Sequence, residues 1–392
     1  MRSVYMDHSA TTPVKPEVVE AMLPYFTEIY GNASSVHAFG REARKGVMSA
    51  RNTIAEYIGA SVDELFFTAG GTESDNWAIR GVAHANKQKG NHIITTTIEH
   101  HAVLHVCEML EKEGFEVTYL KTDADGLISL KDLEAAIQPS TILISIMAVN
   151  NEIGTIQPIE EIGQIAKKHG VLFHTDAVQA LGKIELDVNK QNIDLMSFSA
   201  HKLYGPKGIG ALYVRKGTRI KNLMDGGAQE KKRRPGTENV PGIIGFGKAV
   251  ELAAEGFEEN NARLIRLRDK MIAGIEATIP YIRLNGHRTK RHPGNVNFCF
   301  EFIEGESLLL SLDLVGIAAS SGSACTSGSL DPSHVLMAIG LTHEIAHGSL
   351  RLSLGEFTTD EDVDYVIEQL KPIVERLRSY SPLYEKATGG TR

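Results

Sequence analysis

The sequence predicts an α/β protein in which a large domain with a mostly parallel β-sheet is joined to a smaller α+β domain. Between about residues 60 and 215, short runs rich in β-branched residues alternate with stretches in which apolar residues have helical spacing. Such alternation places helices on both faces of a mostly parallel sheet. After about residue 240 the alternation ends, which indicates a second domain of different construction.

The large domain has six predicted strands with helices between them. The strands are expected at residues 64–68, 92–97, 116–122, 141–149, 171–177 and 194–200, and the helices at 75–88, 102–114, 130–137 and 158–170. Several of these helices end in glycine, the residue most favoured just past a helix. The order of the elements therefore supports a doubly covered sheet.

The second part of the chain begins with a long helical stretch at residues 240–278, which we expect to connect the two domains. Beyond it, the sequence predicts strands and helices in mixed order, with strands at 296–302 and 349–355 and helices at 305–315 and 359–379. We therefore predict a large domain of residues 15–255 and a small domain built from residues 1–14 and 256–392.

The composition is that of an ordinary soluble globular protein, with 392 residues, 42% of them hydrophobic and 23% charged. A net charge of −8 argues against stable binding to nucleic acid or to an anionic membrane. The N-terminus lacks the apolar core of a signal peptide, and no later stretch is long enough to span a bilayer. Three widely spaced cysteines form no disulfide framework, so we expect a cytoplasmic protein with reduced thiols, and Cys107 and Cys299 in the core.

Two polar residues at the ends of predicted strands indicate a cofactor site. Asp176 lies in FHTDAVQ (173–179) and Lys202 in SFSAHKLYGPKGIG (197–210). Alone, such a lysine is more often a solvated surface charge, and such an aspartate is as often structural. A mostly parallel sheet binds ligands where both residues would lie, at the carboxyl ends of its strands. The pair suits pyridoxal phosphate, which needs a lysine amine for its aldehyde and a carboxylate for its pyridine nitrogen.

The phosphate of such a cofactor needs an anion site, which Gly71 and Thr72 could supply. They follow a strand and open a helix in FFTAGGTESDNW (66–77), where backbone N–H groups attract an anion. The alternative is an ordinary capped helix start, and no Walker-type lysine follows the glycines. Further candidates for the phosphate are Ser199, His201 and Thr237.

Four more polar residues are candidates for contacts with the ring and the substrate. His100 opens a helix after a strand, where an imidazole can stack on a pyridine ring and move protons. Asn151 and Gln179 carry amide donors for the ring's oxygen and for a substrate carboxylate. Arg351 suits bidentate binding of a carboxylate, although a structural ion pair explains it equally well.

Along nearly its whole length, the chain resembles the cysteine desulfurases of the NifS/IscS type. The resemblance lies in the order and spacing of the stretches YMDHSATTP, GNASSVHAFG, FTAGGTESDN, EHHAV, VNNEIGTIQP, HTDAVQ, SFSAHKLYGPKGIG, RRPGTENV, SSGSACTSGS and HGSLRLSLG. These desulfurases are fold type I pyridoxal-phosphate enzymes of the class V aminotransferase group. The resemblance therefore implies a mostly parallel sheet of the seven-stranded type in the large domain.

The resemblance also implies a reaction and the residues that perform it. Lys202 would hold the cofactor covalently, Asp176 would pair with its pyridine nitrogen, and His100 would stack on its ring. Cys325, in SSGSACTSGS (320–329), matches the catalytic cysteine, which takes the sulfur of L-cysteine as a persulfide and leaves L-alanine. The sulfur would pass to an iron–sulfur scaffold protein or another acceptor, and Cys325 could then be a transient iron–sulfur cluster ligand.

The remaining contacts and a homodimer are likewise implied by the resemblance. Arg351 and Asn151 would hold the cysteine carboxylate, and Thr237 matches a threonine that the family contributes across a dimer interface. The other cofactor contacts would be Gly71, Thr72, Asn151, Gln179, Ser199 and His201. Selenocysteine lyase and cysteine sulfinate desulfinase are the nearest alternatives, and the SSGSACTSGS stretch favours cysteine as substrate over selenocysteine.

A different enzyme class fits one short motif. HEIAH (343–347) matches the zinc-protease pattern, in which two histidines four residues apart bind the metal and the glutamate is the base. Gly348 would end the helix at once, and a similar segment occurs in the desulfurases. A zinc metalloprotease is therefore a remote alternative, and we expect no intrinsic metal site. A second pair, His101 and His105, is expected on a solvated helix face.

Overall fold

The computed structural model describes residues 2–321 and 332–389, so Cys325 lies outside the described residues. The strands are β1 (Val4–Tyr5), β2 (Leu65–Thr68), β3 (His92–Thr96), β4 (Glu116–Leu120), β5 (Thr141–Ser145), β6 (Leu172–Asp176), β7 (Leu195–Ser199), β8 (Gly210–Val214), β9 (Ile282–Leu284), β10 (Asn295–Phe300), β11 (Ile317–Ala318) and β12 (Ser349–Ser353). The helices are α1 (Pro16–Met22), α2 (Pro24–Thr27), α3 (Ala38–Tyr57), α4 (Gly71–Asn86), α5 (His101–Lys112), α6 (Leu130–Ala136), α7 (Ile159–His169), α8 (Gln229–Lys232), α9 (Val240–Glu255), α10 (Phe257–Thr278), α11 (Gly305–Leu314), α12 (His334–Ala338), α13 (His343–His347), α14 (Asp360–Ser379) and α15 (Pro382–Thr388). None of these helices is both long and apolar enough to cross a membrane.

The largest sheet has seven strands in the order β2-β8-β7-β6-β5-β3-β4. Strand β8 is antiparallel to both of its neighbours, and the other pairs are parallel. Strands β3, β5 and β7 are buried along their whole length, as expected for a sheet covered on both faces. Because β5, β6 and β7 run in the same direction, their carboxyl ends meet at one edge, where Asp176 ends β6 and Ser199 ends β7.

The remaining strands form two small sheets. Strand β10 pairs antiparallel with β9 and β12, and β1 pairs parallel with β11. One hydrophobic core lies among these strands and the helices α10, α11 and α14, and it draws on residues 4–6 and 264–374. A second core, next to the seven-stranded sheet, draws on residues 33–250. The two cores thus use different parts of the chain, while the predicted boundaries at 15–255 and at 1–14 plus 256–392 stay a prediction.

The segment near the N-terminus connects the small sheets with the large one. Met6 belongs to the small core, and Asp7 forms an isolated bridge with Ser353 at the end of β12. A few residues later, the backbone N–H and the hydroxyl of Thr12 both donate to the carbonyl oxygen of His201, at 3.1 and 2.9 Å. The chain therefore passes directly over the end of β7, next to Lys202.

Most of the predicted elements are confirmed, with small shifts at their ends. The six strands predicted in the first domain correspond to β2–β7, and the seven-stranded sheet implied by the resemblance is present. The helical stretch at 240–278 is two helices, α9 and α10, which meet at Gly256. Helix α3 was not predicted, because its stretch has helical spacing but lies before the alternating region. Strand β8, which follows the glycine-rich turn after Lys202, was not predicted either.

Gly163 in α7 packs closely against the backbone of Gln191, and we expect no side chain to fit at this position. A Cβ at this position would lie 1.8 Å from the carbonyl oxygen of Gln191. We expect Gly163→Ala to destabilise the fold by about 3 kcal/mol, because backbone must move to make room. A thermal or chemical unfolding curve measures this loss.

The matched control is Gly170→Asn, at the end of the same helix. No atom lies within 4 Å of a Cβ there, and asparagine tolerates the left-handed φ of +65°. We expect a loss below about 1 kcal/mol for this variant. An alanine at position 163 that melts like the wild type would contradict the packing described for α7.

Candidate active site

A cavity of about 400 Å³ opens at the edge of the large sheet where β5, β6 and β7 end. Among the residues that the structure describes, its wall contains all of the predicted site residues except Thr237. These are Gly71, Thr72, His100, Asn151, Asp176, Gln179, Ser199, His201, Lys202 and Arg351. The fold thus gathers side chains from widely separated segments of the sequence, as the parallel topology predicts.

Lys202 lies on a single 3₁₀ turn, Ala200–Lys202, directly after β7. Its Nζ donates hydrogen bonds to the carbonyl oxygens of Ser9 at 2.6 Å and Ala10 at 2.7 Å. The side-chain amide of Gln179 donates to the same Ser9 oxygen at 2.9 Å. The amine is therefore half-buried and held against the cavity wall, unlike a solvated surface lysine.

Asp176 and Asp75 place two buried carboxyl groups on the cavity wall. The Oδ1 of Asp176 accepts from the backbone N–H of Val178 at 2.9 Å. Burial raises the pKa of Asp176 to about 6, opposed by that N–H and by the charge of Lys202. Burial and the neighbouring Asp176 raise the pKa of Asp75 well above its usual range. A cation beside Asp176, such as a protonated pyridine nitrogen, would stabilise its carboxylate.

The start of α4 forms a cradle that suits an anion. A Cβ at Gly71 would lie 2.6 Å from Cγ2 of Val178, so a side chain there would crowd the cradle. The helix begins at Gly71 and is 16 residues long, and its first backbone N–H groups have no partner within the helix. Thr72, Ser199 and His201 add polar side chains to the same wall. These donors fit the phosphate of pyridoxal phosphate, with Asp176 for its pyridine nitrogen and Lys202 for its aldehyde.

His100 caps the N-terminus of α5. Its Nδ1 accepts a hydrogen bond from the backbone N–H of Ala102 at 3.1 Å, so the neutral ring carries its proton on Nε2. Burial lowers the pKa of His100 to about 4, helped by the positive charges that His101, Lys202 and His334 can carry. The imidazole is therefore neutral near pH 7 and can donate a hydrogen bond from Nε2.

Three histidines lie next to one another beside His100. The ring of His101 is 4.9 Å from that of His105 and 4.8 Å from that of His334. The prediction of a solvated face is right for His105, which is exposed. It is wrong for His101, which is half-buried on the cavity wall because α12 packs against it.

The HEIAH segment does not form a metal site. It is the five-residue helix α13, which ends at Gly348, and its two histidines and Glu344 are exposed. In residues 2–321 and 332–389, no three histidine, cysteine, aspartate or glutamate side chains are placed to hold a metal ion. Cys107 and Cys299 are buried free thiols, as expected.

Arg351 lies in β12 and is buried at the cavity wall. Its Nη1 donates to the carbonyl oxygen of Asn151 at 3.0 Å, and its Nη2 pairs with the Oδ1 of Asp7 at 3.0 Å. The ion pair that the sequence left open is therefore present. Its Nε is also buried and finds no hydrogen-bond acceptor among the described residues, so the guanidinium keeps a donor for a ligand carboxylate.

Two buried glutamates near the cavity were missed in the sequence. Glu152 lines the cavity and accepts a hydrogen bond from the hydroxyl of Ser333, and burial raises its pKa to about 7. Glu99 accepts from the Thr96 hydroxyl at 2.7 Å and from the Met147 N–H at 3.1 Å, and burial raises its pKa to about 8. Both stand next to predicted site residues, in EHHAV and VNNEIG, and that adjacency was the available signal.

Thr237 does not line this cavity. Thr237 is exposed and lines a separate, smaller cavity with Gly208 and Arg234. Its contribution to a second subunit stays a prediction, and Cys325 lies outside the described residues.

Comparison with known proteins identifies the family. The family model described as aminotransferase class-V matches residues 4–366. The curated cysteine desulfurase IscS of Methanosarcina thermophila is 60% identical over 385 residues, covering 98% of this chain and 95% of that protein. Cysteine desulfurase IscS of Clostridium botulinum is 58% identical over 386 residues, covering 98% and 97%.

Solved structures show the same similarity. A NifS-like protein superimposes with a TM-score of 0.91 at 40% identity, covering 96% of this chain and all of that one. SspA in complex with cysteine superimposes with a TM-score of 0.81, also at 40% identity, covering 91% of this chain and 100% of that one. Both sequence and fold therefore extend the similarity over nearly the whole chain.

The buried Glu99 should make stability depend on pH. A carboxyl group with a pKa near 8 in the folded chain and an ordinary one in the unfolded chain binds more protons when folded. The protonated Glu99 therefore stabilises the folded chain at low pH. This stabilisation is lost as pH rises from the pKa of Glu99 in the unfolded chain towards 8. Relative to Glu99→Gln, the wild type should lose on the order of 3 kcal/mol over this range.

Unfolding curves of both proteins at several pH values measure this difference. Glu344→Gln, which changes an exposed glutamate, is the matched control and should follow the wild type at every pH. A constant stability difference between wild type and Glu99→Gln would show that Glu99 is ionised throughout.

Proposed function

The chain belongs to the aminotransferase class-V family and is a pyridoxal-phosphate-dependent cysteine desulfurase of the NifS/IscS type, and we propose that Lys202, His100 and Cys325 perform its reaction. The reaction removes sulfur from L-cysteine, giving L-alanine and a persulfide on Cys325. The observation that supports these roles most strongly is the shared cavity, in which the Lys202 amine, Asp176 and the neutral His100 ring line one wall.

Residues of the cavity bind the aldehyde, the pyridine ring and the phosphate of the cofactor. Lys202 binds the aldehyde, and Asp176 pairs with the pyridine nitrogen while Gln179 and Asn151 lie near the ring's oxygen. The phosphate is bound by Gly71, Thr72, Ser199 and His201. Bound pyridoxal phosphate supplies a covalent attachment for the substrate amine and a ring that accepts the electrons of the Cα–H bond.

Arg351 and His100 act on the substrate. Arg351, together with Asn151, binds the carboxylate of cysteine, which fits the buried Nε that has no acceptor among the described residues. His100 stacks on the ring and takes part in proton transfer, and the Nε2–H of its neutral form donates a hydrogen bond. Lys202 Nζ, when its amine is free, would take the α-proton of cysteine.

Cys325 receives the sulfur. Its thiolate attacks the sulfur atom of cysteine, an S–S bond forms, and the Cβ–S bond breaks with its electron pair remaining on the carbon side. That carbon then takes a proton and becomes the methyl group of L-alanine. The similar SspA was solved in complex with cysteine, which favours cysteine as substrate over selenocysteine or cysteine sulfinate.

The acceptor of the persulfide sulfur is, we propose, an iron–sulfur scaffold protein or another thiol-bearing carrier in the cytoplasm. The similar curated proteins are named IscS, which supports a role in iron–sulfur cluster assembly. Cys325 would ligate a cluster only transiently during such transfer.

We further propose that the protein acts as a homodimer. An exposed apolar surface is formed by Phe26, Tyr30, Val36 and Phe39, and the rings of Tyr30 and Phe39 lie 5.7 Å apart. Exposed apolar patches of this kind are typical of protein interfaces. The hydroxyl of Ser34, within this segment, donates to Glu238 at 3.2 Å, so the surface lies beside the residue that follows Thr237. This proximity supports the contribution of Thr237 to the phosphate site of a second subunit.

Two variants test the assignment of Cys325 and Lys202. The purified protein should be yellow, with an absorption band near ~420 nm that borohydride removes. Cys325→Ala should keep this band but form alanine from cysteine at least about 100-fold more slowly, because no thiolate takes the sulfur. Lys202→Ala should lose both the wild-type band and turnover.

Full sulfide release by Cys325→Ala would disprove the persulfide route and favour a lyase, such as selenocysteine lyase. A colourless active protein with stoichiometric zinc would favour the remote zinc-protease alternative at HEIAH. Alanine and sulfide are measured separately, so a sulfur-binding protein without catalysis is also distinguished.

A surface variant tests the homodimer. Val36→Glu combined with Phe39→Glu places two charges in the exposed apolar surface, so we expect the dimer to dissociate into folded monomers in light scattering. The resulting monomer should also bind pyridoxal phosphate more weakly, since Thr237 of a second subunit is then missing. Leu310→Glu, at an exposed leucine of α11, is the control and should remain dimeric. A monomeric wild type would refute the proposal.

A further inference from the structure

We infer that Glu152 takes up a proton when an amino-acid carboxylate binds at Arg351 in the cavity. The inference rests on the proposed function only in taking Arg351 as the carboxylate site. Glu152 would thus change its protonation state when the substrate binds.

The chain holds Glu152 firmly at the cavity wall. Its backbone N–H donates to the side chain of Asn150 at 2.9 Å, and its carbonyl oxygen accepts from the amides of Asn295 and Asn297, at 3.0 Å each. Its side chain accepts from the hydroxyl of Ser333, which also caps α12. The residue is 4% exposed, so its carboxyl group cannot turn away into solvent.

Substrate binding adds a negative charge next to the guanidinium of Arg351. Arg351 is 2% exposed and already pairs with Asp7, while Glu152 lines the same cavity beside it. A bound carboxylate would be the third acid next to a single cation. Uncompensated charge is costly in a buried site, and a proton on Glu152 keeps the number of negative charges beside Arg351 unchanged.

Glu152 is better placed than Asp7 to take this proton. Asp7 forms a direct ion pair with the Arg351 Nη2, and its side chain is 20% exposed, so water and the guanidinium both stabilise its charge. Glu152 is more deeply buried, and its carboxylate accepts a hydrogen bond from the neutral Ser333 hydroxyl.

Asp75, Asp176, His100, His101 and Lys202 line the same cavity as Glu152, and the difference between the wild type and Glu152→Gln isolates the proton of Glu152 from theirs. The β10 side chains next to Glu152 are the neutral amides of Asn295 and Asn297, and the next residue of α12 is His334, whose pKa burial lowers. Burial raises the pKa of Glu152 to about 7, while Ser333 and Arg351 oppose the rise. An added anion raises this pKa further, so a Glu152 that is partly ionised in the free protein becomes protonated in the complex.

The experiment measures proton uptake directly. L-Alanine, the product without sulfur, is titrated into the holoenzyme at about pH 7.5 in buffers that differ in ionisation enthalpy. We expect the wild type to take up about half a proton per site more than Glu152→Gln, whose side chain cannot ionise. Glu344→Gln, at an exposed position, should match the wild type.

A pH profile gives a second readout that a purely structural role would not change. The ratio of the KM for cysteine of the wild type to that of Glu152→Gln should rise about tenfold between about pH 6.5 and 8.5. The rise occurs because substrate binding to the wild type requires Glu152 to take up a proton, and protons are scarcer at higher pH. If Glu152→Gln does not fold, Ser333→Ala serves instead, and the midpoint of uptake should move to higher pH because a donor to the carboxylate is lost.

The outcomes separate the inference from the proposed function. Equal proton uptake by wild type and Glu152→Gln, with alanine binding still dependent on Arg351 in an Arg351→Lys comparison, would overturn the inference alone. Alanine binding that is unaffected by Arg351→Lys would overturn the carboxylate site and the inference with it.

Discussion

The hydrogen bonds from the Lys202 amine to the carbonyl oxygens of Ser9 and Ala10 are the contact on which the rest of the site depends. They join the end of β7 to a segment that is itself tied to β12, where the Ser9 N–H donates to the Ser353 hydroxyl at 2.8 Å. The amine is therefore positioned only when the large sheet and the small sheets are both in place. The same junction brings Arg351 of β12 to the cavity that Asp176 and His100 line from the other side.

The electrostatics of the cavity follow from its burial. Low exposure raises the pKa values of Asp176, Glu152 and Asp75 and lowers those of His100 and His201. Acids and bases alike are thereby moved towards their neutral forms. A cofactor with a cationic ring nitrogen and an anionic phosphate, and a substrate with a carboxylate, then bring the charges that these groups are arranged to meet.

The elements of the large sheet could be predicted because they are long, regularly patterned and bounded by glycine, and strand-end polarity located Asp176 and Lys202. The resemblance added roles that single residues could not carry, such as that of Arg351. The contacts of Glu152, Glu99 and His101 could not be predicted, because they depend on how α12 packs against the loops after β3 and β5. Neither could the Arg351–Asp7 pair, since its partners are 344 residues apart in sequence.

The hydrogen bond between Ser9 and Ser353 joins residues that are made at opposite ends of biosynthesis. A ribosome releases the first of these residues at the start of translation and the second only near its end, so this hydrogen bond forms only when β12 has emerged. The large sheet can form during this time, and Thr12 can already hold the leading segment at the carbonyl oxygen of His201. Arg351 in β12 consequently joins the cavity late, after the wall residues at 71–202 have been translated.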